Sequence, residues 1–125
     1  MELVFEKLTE KIIGLAINVH KELGPGLLEN TYKQCLDYEL KKANLNFQLE
    51  VNYPIIYKEI QISCGFRIDL LVEDKIIIEL KSIDKIIPIH EAQLLTYMKL
   101  FNKRVGLIIK FNERLLRNGI KRLVI

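Results

Sequence analysis

Phe66–Ser82, FRIDLLVEDKIIIELKS, decides how this chain folds. It reads as two apolar strands joined by a short polar turn. Asp69 interrupts the first strand; Glu79 and Lys81 interrupt the second. Alternate residues of a strand point to one face, so Glu79 and Lys81 share a face while Ile76, Ile78 and Leu80 turn the other way. A strand apolar on both faces is normally central and buried. Charges on such a strand are costly unless paired or bound to an ion.

The turn determines whether Asp69 joins them. The favoured two-residue hairpin turns use Asn-Gly or Asp-Gly, and neither occurs here. A three-residue loop, Glu73-Asp74-Lys75, sets Val72 opposite Ile76. It then sets Asp69 opposite Glu79 and Arg67 opposite Lys81, all on one face. A slip of one residue would undo this, because it flips every side chain. Two facing carboxylates repel each other, and a hard divalent cation such as Mg²⁺, which prefers oxygen ligands, relieves the repulsion. A neighbouring lysine can orient a water or stabilise a developing anion. The alternative is a structural ion pair without chemistry. The metal-site reading carries a stability expectation. Asp69→Asn should leave the metal-free fold as stable or slightly more so, and Lys81→Met should destabilise it.

Around this hairpin the 125-residue chain fits one domain. Half its residues are hydrophobic, enough for a core, and 28% are charged. No apolar run approaches the ~18 residues of a membrane span. The segment MELVFEKLTEK carries acids early and has no secretory apolar region. Cys35 and Cys64 lack metal-ligand spacing and read as reduced thiols of an intracellular, cytoplasmic protein, with a disulfide between them the less favoured alternative. A net charge of +3 permits a polyanionic partner without requiring one.

Helical spacing predicts a first helix over 2–23, with Ile12, Leu15, Ala16, Val19 and Leu23 on one face. His20 near its end reads more readily as a packed ring or C-terminal cation than as a catalytic group. Gly24-Pro25-Gly26 stops the helix. A second helix is expected over 27–43, with Leu28, Tyr32, Cys35, Leu36 and Leu40 as its stripe. Glu29 falls in its first turn, where a carboxylate complements the helix dipole. Two strands follow, 47–53 and 55–62, broken by Pro54, which argues for an edge strand or a bend. Gly65 marks a bulge or a close backbone approach. After the central hairpin come a crossover loop over 82–88, a helix over 89–101 and a strand over 104–111. A last strand covers 119–125. Gln93 and Tyr97 lie four apart on the third helix and share a face. A strand–helix–strand order is a βαβ crossover. The whole is α/β, a mixed sheet with helices packed on its faces.

Three strings go further than periodicity. His20-Lys21-Glu22-Leu23-Gly24-Pro25 runs directly into Gly26-Leu27-Leu28-Glu29-Asn30-Thr31-Tyr32. Asp69 is followed after nine residues by Glu79-Leu80-Lys81. His90-Glu91-Ala92-Gln93 with Tyr97, then Val105-Gly106-Leu107 through Asn112 and Gly119-Ile120-Lys121-Arg122, complete the set. In these strings the chain resembles the GxxExxY family, a branch of the PD-(D/E)XK nuclease-like superfamily, over nearly its whole length. The resemblance implies a single restriction-endonuclease-like domain over 1–125, with a mixed central sheet flanked by helices. It implies a Mg²⁺- or Mn²⁺-dependent nuclease acting on nucleic acid, with DNA favoured over RNA but the substrate left open, since members of the superfamily cut either. Asp69, Glu79 and the Leu80 carbonyl would hold the metal, and Glu29 would reach the same metal, directly or through water, or hold a second one. Lys81 would be the catalytic lysine, Gln93 would orient the water or Lys81, and Tyr32, Tyr97 and His20 would support them. Lys85, Lys99, Lys103 and Arg104 are candidate phosphate contacts, although charges of this kind usually form a solvated face. The rival reading is a module of the same fold that binds nucleic acid or protein without turnover. A domain of this size could dimerise around a duplex, but no interface signature is legible.

Overall fold

The computed structural model describes residues 4–125, the side chains at 64 and 65 excepted. Its elements are α1 (Glu6–Leu23), α2 (Glu29–Lys42), β1 (Phe47–Tyr57), β2 (Ile60–Val72), β3 (Ile76–Lys81), α3 (Pro88–Leu100), β4 (Val105–Lys110), a short 3₁₀ turn (Leu116–Gly119) and β5 (Ile120–Val124). The five strands form one sheet in the order β1-β2-β3-β4-β5. β3 and β4 run parallel, joined by α3; the other neighbours are antiparallel. This is an α/β domain with a mixed sheet covered on both faces.

The central strands explain the architecture. Ile76, Ile77, Ile78 and Leu80 of β3 are at most 1% exposed. Burying each aliphatic side chain contributes roughly 1.5–3 kcal/mol, so β3 and β4 take the middle of the sheet. Ile76, Ile78 and Leu80 pack with Ile12, Ala16, Tyr32, Leu36 and Leu40 of α1 and α2. Ile77 and Ile108 pack with Leu94 and Met98 of α3 on the opposite face. That contact is tight: a Cβ built on Gly106 of β4 would lie 2.8 Å from the Met98 sulfur and 2.9 Å from a Leu94 methyl.

The three-residue turn is present. Val72 pairs with Ile76, and Glu73 and Asp74 both adopt left-handed backbone, φ +53° and +54°. Asn46 holds the turn reciprocally: its carbonyl accepts the Glu73 N–H at 2.7 Å and its N–H donates to Glu73 Oε2 at 2.8 Å.

Four expectations are corrected. The first helix starts at Glu6, because Phe5 is left-handed (φ +52°); residues 1–3 lie outside the described ones. Leu23 and Leu28, assigned to apolar stripes, are 37% and 78% exposed at the helix ends beside the glycine turn. The stretch 55–62 is not one strand. It is the far end of a β1–β2 hairpin that turns at Lys58-Glu59, with Tyr57 opposite Ile60. Pro54 sits inside β1, an edge strand, where the register shifts between Tyr53 and Ile55. Arg67 does not face Lys81. The β2–β3 ladder has only the pairs Leu70–Ile78, Leu71–Ile77 and Val72–Ile76, and beyond it β2 leaves β3 and continues with β1 alone as a two-stranded ribbon.

A side-chain crossing accompanies that departure. Phe47 and Leu49 of β1 and Leu70 and Val72 of β2 pack toward α1 and α2. Val51 and Tyr53, and Phe66 and Ile68, pack toward α3. Side chains of one parity thus change faces at Glu50 and Asp69, which lie between the Leu49–Leu70 and Val51–Ile68 pairs. Glu50 is left-handed there, φ +52° in mid-strand, an unusual conformation for a residue with a side chain. Cys35 is a free thiol, while the Cys64 side chain lies outside the described residues. Among the described residues no helix is long and apolar enough to cross a membrane.

Candidate active site

Where β2 parts from β3, two carboxylates replace the ladder. The Leu80 N–H donates to Asp69 Oδ2 at 2.8 Å, and the Asp69 N–H donates to Glu79 Oε1 at 3.3 Å. Each acid therefore bridges to the other's strand, and the two are brought together in the gap. Glu79 is only 8% exposed. Burial, and then the negative charge of Asp69, push its carboxyl up to about 8; the Asp69 N–H, Lys81 and Lys33 oppose the rise. In the absence of a metal ion this environment favours the protonated form of Glu79 well above the ordinary carboxylate range.

Asp69 has a partner on its other side. Lys33 of α2, 6% exposed, places its ammonium 3.2 Å from Asp69 Oδ1 and 3.3 Å from Glu50 Oε1. Burial pulls the ammonium down, but Asp69 and Glu50 outweigh it and hold Lys33 above the ordinary lysine range. Arg67 Nη1 lies 3.9 Å from Glu50 Oε2 and extends the network along the ribbon.

The remaining expected residues fall into three groups. Glu29 begins α2 one turn before Lys33, and its Oε1 accepts the Ser82 N–H at 3.1 Å. The first turn of α2 thus lies against the end of β3, and Glu29 is directed there. Ser82 Oγ is buried without a hydrogen-bond partner at the same spot, a polar atom left available. Lys81 is half-buried, directly after Leu80, and its charge acts on Glu79.

Tyr97 and Gln93 come from α3. Burial raises the Tyr97 phenol, and the charges of Glu79 and Asp69 raise it further. Its ring stacks on Phe66 with centroids 4.4 Å apart, and Phe101 joins Phe66 and Tyr53, so aromatic contacts fasten the ribbon to α3. Gln93 is exposed one turn earlier. The entry of α3 is set by Pro88 in its first turn and by His90 Nδ1, which accepts the Ile87 N–H at 3.1 Å.

Tyr32 and His20 stand apart from the carboxylates. The Tyr32 hydroxyl donates to the Gly24 carbonyl at 2.6 Å and accepts the Leu27 N–H at 3.1 Å. Its ring stacks on Phe111 at 4.2 Å. It locks the glycine turn between α1 and α2, where Gly24 and Gly26 have φ +74° and +93°. His20 donates from Nε2 to the Glu113 carbonyl at 2.7 Å, so it braces the loop after β4. The packed-ring reading fits that position. Lys103 and Arg104 are also elsewhere: Lys103 pairs with Asp74 at 3.0 Å beside the hairpin turn, and Arg104 Nε donates to the Ile125 carbonyl. They precede Val105, which pairs with Ile76, four positions (roughly 13 Å) from the Leu80–Ile109 level of the carboxylates.

Sequence reasoning missed Lys33, Glu50 and Lys110. The first had a usable signal, since Lys33 follows Glu29 by four and shares its helix face. Glu50 had none, because nothing in FQLEVNY announces a left-handed glutamate. Lys110, 7% exposed and beside Lys81 in the parallel pair, donates to the Asp84 carbonyl and pairs with Glu113, both at 2.6 Å. It pins the crossover loop to the end of β4.

Among the described residues no group of three or more His, Cys, Asp and Glu side chains forms a ready metal cage. The donors at the gap are two carboxylates and a strand-end backbone. That set matches a hard cation that keeps several waters, such as Mg²⁺, better than a softer ion. The orphaned Ser82 hydroxyl beside Glu29 suits a water or a hydrated cation there.

No curated protein and no solved structure matches the chain. A family model described as the PD-(D/E)XK nuclease superfamily matches residues 6–123. The match runs from the start of α1 into β5, so the chain belongs to the PD-(D/E)XK nuclease superfamily and has its restriction-endonuclease-like fold.

Proposed function

We propose that this protein is a Mg²⁺- or Mn²⁺-dependent nuclease of the GxxExxY branch, hydrolysing phosphodiester bonds of nucleic acid, with DNA as the preferred substrate. The observation that carries the reading is the pairing of Asp69 and Glu79 in the β2–β3 gap, each bridged to the other's strand, with Lys81 next in line. Asp69, Glu79 and the Leu80 carbonyl would hold the metal. Glu29 would join them directly or through a water near Ser82. The ion, when bound, polarises the scissile phosphate and lowers the pKa of a bound water. Lys81 positions that water or stabilises the negative charge that develops on the phosphate oxygens. Gln93 orients the water or Lys81 from α3, and Tyr97 supports the carboxylates from the same helix. Tyr32 and His20 support the site at a distance, through the glycine turn and the loop after β4.

The test is incubation with labelled single- and double-stranded DNA and RNA, with Mn²⁺, Mg²⁺ or EDTA. The expected result is cleavage of DNA with metal, none with EDTA, and loss in both Asp69→Asn and Lys81→Met. Retained binding without cleavage under every condition would replace the nuclease with a nucleic-acid-binding module. Sedimentation with and without a duplex tests whether the active form is a homodimer.

A further inference from the structure

We propose that Lys33 is a resident counter-ion that occupies the Glu50 side of Asp69 and limits the site to one divalent cation per chain, on the Glu79 side. The inference rests on the reading of Asp69 and Glu79 as metal ligands.

The two oxygens of Asp69 face different neighbours. Oδ2 takes the Leu80 N–H and so faces β3, the strand that carries Glu79. Oδ1 faces Lys33 at 3.2 Å, and the same ammonium lies 3.3 Å from Glu50 Oε1. A cation shared by Asp69 and Glu50 is the arrangement a second metal would need, and the ammonium already stands there. Lys33 is almost buried, with a side chain 8% exposed, so it is not a surface lysine that swings away at little cost. Charge on that side also balances without metal: Asp69 and Glu50 face Lys33 and Arg67.

The backbone supports the same assignment. Glu50, which bonds the same ammonium as Asp69, is itself left-handed in mid-strand, a conformation that persists only where the surroundings enforce it. At this position β1 and β2 exchange the faces of their side chains. The strained residue, the ion pair and the crossing coincide, which makes the Lys33–Glu50 arm a constructed part of the site. Lys33 acts through Asp69 and is a positioning residue: it fixes the Oδ1 edge and leaves the Oδ2 edge to be shared with Glu79.

The test counts bound metal, with no need for turnover. Free Mn²⁺ is followed by electron paramagnetic resonance as the metal-free protein is titrated, with calorimetry as a second measure. The parent is expected to bind one Mn²⁺ per chain. Lys33→Met, or Lys33→Gln if the methionine variant does not fold, should bind two, because Asp69 and Glu50 then face each other without a cation. Adding Glu50→Gln to either variant should return the count to one, and Lys33→Arg should stay at one. Two Mn²⁺ in the parent would overturn the proposal while leaving the metal site intact. A folded Lys33→Met or Lys33→Gln that still binds one would overturn it equally. No Mn²⁺ in the parent would overturn the metal reading itself, and the counter-ion role with it.

Discussion

The metal-free protein should lose stability as pH rises from 5 to 8, and Glu79 is the group responsible. Its carboxyl is raised from the ordinary 4.5 to about 8, first by burial and then by Asp69. Between those values the folded chain holds a proton that the unfolded chain has released. Stability is therefore fully present below the unfolded value, falls through the window and levels off above about 8. One pH unit of such a difference corresponds to about 1.4 kcal/mol, so the two units from pH 5 to pH 7 cost about 3 kcal/mol. For a domain of this size that is a large share of the ~5–15 kcal/mol that holds it folded. Glu79→Gln keeps the shape and an acceptor for the Asp69 N–H but cannot ionise. Urea melts of parent and Glu79→Gln in EDTA, at pH 5, 6, 7 and 8.5, read the difference. The two should be close at pH 5, and the variant should lead by about 3 kcal/mol at pH 7. Added Mg²⁺ should recover the parent above pH 7 and do little for the variant, because a cation that binds only the folded site raises its stability. A gap that stays constant from pH 5 to pH 8.5 would refute the buried, proton-holding Glu79.

Three further outcomes follow from the packing. Tyr32→Phe removes the hydroxyl that joins the Gly24 carbonyl and the Leu27 N–H; both can turn to water, so a loss of about 0.5–1.5 kcal/mol in a denaturant melt is expected, with cation binding by the folded protein unchanged. Gly106→Ala drives a methyl into Met98 and Leu94, costing about 1–3 kcal/mol, and displaces α3 with Tyr97; the tyrosine's ring resonances should shift even where the protein stays folded. Gly119→Ala meets backbone, the Lys110 carbonyl, which has no rotamer to move, so it should be the more damaging of the two by thermal melt.

Much of this was legible in one stretch. The turn at 73–75 follows from the missing Asn-Gly or Asp-Gly signal, and it sets Asp69 against Glu79. The length of β3 and its two-faced burial follow from IIIEL, since only a central strand is apolar on both sides. The β1–β2 hairpin was hidden because Lys58-Glu59 carries no glycine, asparagine or proline, and the isoleucines on both sides make PIIYKEIQI read as one strand. The face crossing was hidden for a related reason: alternation assumes a regular backbone, and Glu50 breaks it. Lys33 changes an energetic expectation as well. From sequence, Asp69→Asn relieves a repulsion and leaves the metal-free fold at least as stable. In the structure it also removes one of the two carboxylates that neutralise a buried ammonium. Leaving Lys33 with Glu50 alone costs about 1–3 kcal/mol, which offsets the relief at Glu79. Net loss of stability in Asp69→Asn, largest where Glu79 remains protonated, is the outcome this pairing requires, and a melt in EDTA at pH 6 measures it.

The amides of Leu80 and Asp69 end on carboxylates where a regular ladder would end them on carbonyls. A carbonyl acceptor is indifferent to pH, whereas a carboxylate is not. The nitrogen and proton frequencies of these two backbone positions therefore register the protonation of the pair and the arrival of a cation directly. The protein carries its own spectroscopic indicator, one amide for each acid. A labelled sample could follow occupancy of the gap residue by residue, in solution, with no substrate and no engineered probe.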